Sequence, residues 1–245
     1  KNQYEKHIFL SKYKSDLFQI PEVINKGFRN GNFFYEYKYV YGNSLSQNLF
    51  TKSVKELTKT IDQLASITEY FSGENKYFEK EFKNKDFNSS LKEKILTVSS
   101  SLNLDQKFQE KLLDNLEKIK FPILKTLHHG DLSFENIIID KEKKIWLIDY
   151  IGTSYPHYWW DLAKMFQDIE GGWSYIKYGV KLDRKKAKYF TEYLKNNISS
   201  FDNGYLKHHN FLMAIISLRI LPYLKSKSKK TLVLKKINDY LKDYL

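Results

Sequence analysis

The stretch 127–149, LHHGDLSFENIIIDKEKKIWLID, constrains the fold more than any other part of the chain. Two runs rich in β-branched and aromatic residues, NIIID and IWLID, flank the four polar residues 141–144, which is the pattern of a β-hairpin. With Asp140 set opposite Ile145, antiparallel pairing puts Asn136 opposite Asp149. Asp131 lies five residues before Asn136, on a loop that has to arrive at the same end of the hairpin. Asp131, Asn136 and Asp149 therefore interrupt apolar runs and converge. Oxygen donors of this kind, with no histidine or cysteine in the close set, suit a hard cation such as Mg²⁺ better than zinc and point to phosphate chemistry.

The rest of the chain reads mostly as helix. Tyr4, Ile8 and Phe9 give 3–14 an amphipathic helical spacing. The stretch 20–45 reads as two strands around the turn Arg29-Asn30-Gly31-Asn32, stopped by Gly42-Asn43-Ser44. Leu57, Ile61, Leu64 and Thr68 predict a helix within 45–70, followed by a less regular segment over 71–101. Phe108, Leu112, Leu116 and Ile119 mark a helix ended by Phe121-Pro122. Helices follow at 161–169, 185–196 and in HHNFLMAIISLRILPYL, which reads as the core of the helical part. Leu234, Ile237, Leu241 and Leu245 line a terminal helix. The fold class is α+β, with a small strand-bearing start and a large helical remainder.

Composition narrows the function classes. At 245 residues the chain suits one large domain or two small ones, and 42% hydrophobic with 16% aromatic residues suits a globular protein. The absence of cysteine excludes disulfides, thiolate metal sites and cysteine nucleophiles, and suits a reducing cytoplasm. No apolar run approaches the ~20 residues of a membrane span, and KNQYEKHIFL lacks the apolar centre of a signal peptide. The expectation is a cytoplasmic protein without a membrane span. The formal charge of +12 is spread along the chain, densest over 225–236. Without zinc-finger spacing or an RNP-type aromatic motif it reads as a solvated basic surface rather than a nucleic-acid site.

The ordered set His129-Gly130-Asp131, Asn136, Ile148-Asp149-Tyr150 and Asp161-Leu162-Ala163 resembles the aminoglycoside phosphotransferase and choline kinase superfamily of small-molecule kinases. That resemblance implies a protein-kinase-like fold with ATP and Mg²⁺ as cofactors. Asp131 would accept or orient the proton of the acceptor hydroxyl, and Asn136 and Asp149 would hold Mg²⁺. His129 would be scaffold, Asp161 would brace the catalytic loop, and His128 is left as structure. The backbone of Lys38, Tyr39 and Val40 matches the adenine-binding hinge, and Glu5 matches the glutamate that pairs with the phosphate-binding lysine. Trp159, Trp160, Trp173 and Tyr175 lie near the catalytic end and are candidates for acceptor contact.

The chain departs from the family at its start, where three strands and the phosphate-binding lysine are expected before the first helix. The expectation is therefore a fragment that binds ATP weakly: 1–41 as the remnant of the small lobe (helix, two strands, hinge) and 42–245 as the helical catalytic lobe. The excess positive charge weighs against aminoglycosides, leaving a sugar, a sugar derivative or an amino alcohol such as choline as acceptor. The alternative is a non-catalytic kinase-like or nucleic-acid-binding module that uses the basic surface.

Overall fold

The computed structural model describes residues 1–13, 15–49, 51–73, 87–102, 104–119, 121, 126–151, 157–179, 183–242 and 244. The expected helix stop at Pro122 and the start of the stretch before Tyr158 lie outside them. The described chain is α+β, mostly helical with two small antiparallel sheets.

Strands β1 (Val23–Arg29) and β2 (Asn32–Tyr37) pair across Asn30-Gly31, both with positive φ, as the two-residue hairpin turn requires. β2 ends at Tyr37 instead of running to Tyr41. Gly42–Ser44 is not a stop but a strand of its own, β3, paired antiparallel with β4 (Ile137–Asp140). The pairing depends on Gly42: a Cβ there would sit 2.5 Å from the Ile139 carbonyl oxygen and 2.7 Å from Ile138 Cγ2.

β4 pairs in turn with β5 (Ile145–Leu147), so the hairpin read from the sequence is present, but its register differs by one residue. Lys143 takes a left-handed φ of 63°, and its N–H donates to the Asp140 carbonyl at 3.1 Å. The turn thus holds three residues rather than four, and Asp140 faces Lys144. Asn136 consequently lies opposite Ile148, whose N–H donates to the Asn136 carbonyl at 3.1 Å, and Asp149 comes one step later. The Trp146 indole N–H bonds the Asp140 carboxylate at 2.7 Å across the hairpin.

Helices α1 (Asn2–Ser11), α2 (Leu45–Asn48) and α3 (Val54–Ser72) precede the hairpin. The single helix expected over 45–70 is two, because Ser53 and Glu56 form a capping box that restarts the helix at Val54. Within the segment expected to be irregular, α4 (Phe87–Leu102) buries Phe87, Leu91, Ile95 and Val98 at helical spacing. α5 (Gln106–Lys118) follows. Beyond the hairpin come α6 (Tyr158–Ile169), α7 (Trp173–Tyr178), α8 (Arg184–Ser199), α9 (Asn203–Ile220) and α10 (Lys227–Tyr240). α9 packs against α4, α6, α8 and α10, and α6 is buried along its whole length. One continuous core runs from Phe9 and Leu10 of α1 to Ile237 and Leu241, so it includes residues on both sides of the expected boundary at 41.

Glu170, just past α6, ties three helices together. Its carboxylate accepts from His209 Nε2 at 3.0 Å and pairs with Lys195 at 3.3 Å, and it also bonds the Tyr240 hydroxyl. Burial pushes this carboxyl up, but the bond and charge of His209 and the Lys195 ammonium outweigh it and hold the group at about 2.

Two outcomes follow for stability. Ile215→Ala empties a fully buried position in α9 and should cost about 2–5 kcal/mol in urea denaturation. For Glu170 the folded pKa lies below the ordinary 4.5, so its stabilisation is complete above pH 4.5 and is lost as pH falls toward 2. Glu170→Gln should therefore lower the melting temperature at pH 7, with a deficit against wild type that shrinks between pH 4.5 and 3.

Candidate active site

The loop that follows His128 folds around one carboxylate. Asp161 Oδ2 accepts the His129 N–H at 2.5 Å, while Oδ1 accepts the Gly130 N–H at 2.8 Å and the Leu132 N–H at 3.4 Å. Asp161 lies in the first turn of α6, which starts at Tyr158 rather than at Asp161, with His157 as N-cap. Gly130 has φ +90°, and a Cβ there would meet the Ile151 carbonyl oxygen at 2.6 Å, so the loop passes against the chain beyond β5 where only glycine fits.

His129 joins the same two segments through its ring. Nδ1 accepts the Asp131 N–H at 3.2 Å, which leaves the proton on Nε2 to donate to the Ile148 carbonyl at 2.9 Å. Burial lowers its pKa to about 4 against the pull of Asp131, so the imidazole is neutral at physiological pH. Its geometry is that of a strut between the loop and the residue before Asp149.

Asp131 points into a charged setting that the sequence reading did not anticipate. Its carboxylate lies 2.8 Å from Lys164 Nζ and 3.5 Å from Arg219. Burial pushes the carboxyl up, yet Lys164 and Arg219 together hold it below the usual carboxylate range. Asn136 Nδ2 donates to the Asp131 carbonyl at 2.8 Å and to its carboxylate at 3.3 Å. Among the described residues no hydrogen bond engages Asn136 Oδ1. Asp149 is exposed, adopts a left-handed φ of 58° unusual for a non-glycine residue, and accepts the Tyr37 hydroxyl at 3.2 Å.

The three polar residues singled out in the sequence are thus joined: Asp131 and Asn136 directly, and Asp149 through the Ile148–Asn136 backbone bond. The Asp131 carboxylate faces Lys164 and Arg219. Among the described residues no group of three or more His, Cys, Asp or Glu gathers in metal-binding geometry.

Glu5 does not face this site. It is exposed on α1 and, among the described residues, pairs with Lys1 at 3.8 Å. The next residue, Lys6, is buried, with Nζ 3.0 Å from His128 Nε2. Burial pulls Lys6 down and pushes Asp161 up, and each opposes the other's shift by its charge. Burial also lowers His128 well below its ordinary value, so this imidazole is neutral and accepts from the lysine.

A cavity of about 470 Å³ opens beside Asp131, between the loop that follows His128, α6, α7 and the start of α10. Trp173 lines it, held by an indole N–H bond to Glu135 at 3.1 Å. The other aromatic candidates stand elsewhere. Trp159 is buried, bonded to the Asp202 cap of α9, and Trp160 is buried beneath Arg219, whose guanidinium lies 6.0 Å from the ring centre. Tyr175 is half exposed on a separate cavity that includes Glu170. Lys38, Tyr39 and Val40 line a third cavity of about 430 Å³, closed on the other side by Trp146 and the hairpin turn.

Lys164, Arg219 and Asp168 are the site residues that the sequence reading missed. Asp168 accepts the Phe134 N–H at 2.9 Å and so fixes the far end of that loop. Comparison with family models and with curated proteins finds no match. No described helix is long and apolar enough to cross a membrane.

Asp161→Ala would leave three buried N–H groups of the loop without an acceptor. It should destabilise the protein by about 2–5 kcal/mol in chemical denaturation. Asp161→Asn keeps Oδ1 as acceptor for Gly130 and Leu132 but sets an amide NH2 against the His129 N–H, so it should recover only part of that loss.

Proposed function

We propose that the protein is an ATP-dependent phosphotransferase of protein-kinase-like fold that moves a γ-phosphoryl group to a hydroxyl of a small molecule. The observation that carries this reading is the clamp formed by Asp131, Asn136 and the Ile148-Asp149 pair at one end of a short hairpin, with Asp131 on the wall of a cavity. In this arrangement the acceptor hydroxyl enters from the cavity and meets an ionised carboxylate. The role of Asp131 is orientation, with the proton passing late to its oxygen, so its lowered pKa is no obstacle.

Asn136 Oδ1 and the Asp149 carboxylate are oxygen donors of the kind Mg²⁺ takes, and the ion would neutralise charge on the β- and γ-phosphates. Lys164 fixes the Asp131 carboxylate and adds positive charge where the phosphoryl group passes. The hinge residues Lys38–Val40 and the hairpin turn wall a cavity at the other end of β4. Four residue steps of strand separate the two ends, roughly 13 Å, a span that an extended nucleoside triphosphate bridges.

The test is ATP consumption with Mg²⁺ across a panel of sugars, sugar phosphates and amino alcohols. Asp131→Asn should lower turnover roughly 10²–10⁴-fold while leaving the far-ultraviolet circular dichroism unchanged. Turnover that survives this substitution sinks the proposal.

A further inference from the structure

Of the ionisable groups lining the cavity beside Asp131, five are cations and two are carboxylates. Both carboxylates are already engaged. Asp131 is held by Lys164, and Glu135 by Lys177 at 2.7 Å and by the Trp173 indole. On the opposite wall, Lys225 and Lys229 form no ion pair among the described residues, and Arg219 reaches Asp131 only at 3.5 Å. Two ammonium groups and much of a guanidinium therefore face a cavity whose own acids are spent. In a cleft with protein walls, such an imbalance concentrates anions. Ser226, on the same wall, caps the first turn of α10 and places that helix start beside the lysines.

The aromatic wall argues the same way. An acceptor with a quaternary ammonium would need the face of Trp173, but the Lys177 ammonium already lies 5.7 Å from that ring centre. A cationic acceptor would displace one cation and repel others. An anionic one completes the set.

We infer that the acceptor in this cavity is an anionic hydroxyl compound, a phosphorylated or carboxylated sugar or polyol, whose charged group is held by Lys225, Lys229 and Arg219 while its hydroxyl lies at Asp131. This rests on the phosphotransferase reading for the word acceptor, but the anion preference is a property of the cavity and can be measured without turnover. In the reaction, the acceptor hydroxyl oxygen forms the new bond to the γ-phosphorus of ATP, the bond from that phosphorus to the bridging oxygen breaks, ADP leaves, and the hydroxyl proton passes to Asp131.

The experiment is calorimetric titration of the protein, without nucleotide, with glucose 6-phosphate, glycerol 3-phosphate and glucuronate, each set against glucose, glycerol and choline. At least one anionic compound should bind more tightly than its uncharged counterpart and than choline, with affinity falling as salt rises. The double variant Lys225→Ala/Lys229→Ala should weaken that binding about tenfold or more, the worth of a lost charge-assisted bond, and leave the affinity for ATP as it was. The phosphorylated and carboxylated probes distinguish which anion is preferred. No binding by any anionic probe, equal binding of charged and uncharged partners, or an equal loss of ATP affinity in the double variant would each overturn the inference. Transfer of phosphate to choline or to an uncharged sugar, with no affinity for anionic probes, would remove this inference and keep the kinase. Tight binding of an anionic probe by a protein that never consumes ATP would keep the anion site and remove the kinase.

Discussion

The carboxylate of Asp161 receives three backbone N–H groups from the loop 129–132, and the arrangement of the site depends on that contact. A glycine with positive φ lets the loop curl tightly enough for consecutive amides to reach one side chain. The carboxylate is fully buried, so water cannot take over as acceptor. Burial would favour the neutral acid, and the converging amides together with the nearby Lys6 favour the charged one. The loop 129–132 is thus shaped by an electrostatic compromise made inside the core.

Helix α6 does more than hold Asp161. Asp161, Lys164 and Asp168 are spaced three and four residues apart, so they share one face, and that face is turned to the loop. Asp161 holds its start, Lys164 the side chain of Asp131, and Asp168 the N–H of Phe134. Every residue of the helix is buried, so these charges are exchanged with the loop in a setting screened little by solvent. Arg219, from the apolar helix α9, closes the group from the other side.

Much of this could be read from residue order. The spacing of Leu57, Ile61 and Leu64 marks a helix, and the alternation of polar turn and apolar run marks the hairpin, because both are local patterns. The register was off by one because Lys143 adopts a left-handed conformation that its side chain does not advertise. Gly42–Ser44 reads as a turn until its partner, nearly a hundred residues away, is known. Glu5 looked functional where Lys6 is the buried neighbour, since a lysine inside a helix is ordinarily placed in solvent. Two of the missed residues carried a signal: Lys164 follows Asp161 at helical spacing, and Arg219 is a lone charge in an otherwise apolar run, which requires a carboxylate partner.

The contact of Gly42 with β4 has a consequence for the third cavity. β3 works as a splint: it joins Tyr39 and Tyr41, whose rings pack edge to face on the third cavity, to the backbone of the hairpin, with no side chain at Gly42 to act as a spacer. The residues just before β3 and the hairpin are therefore tied through paired backbone. A methyl at residue 42 would push the strand off the hairpin and carry Tyr39 and Tyr41 away from Trp146 and the turn residues with which they wall one cavity.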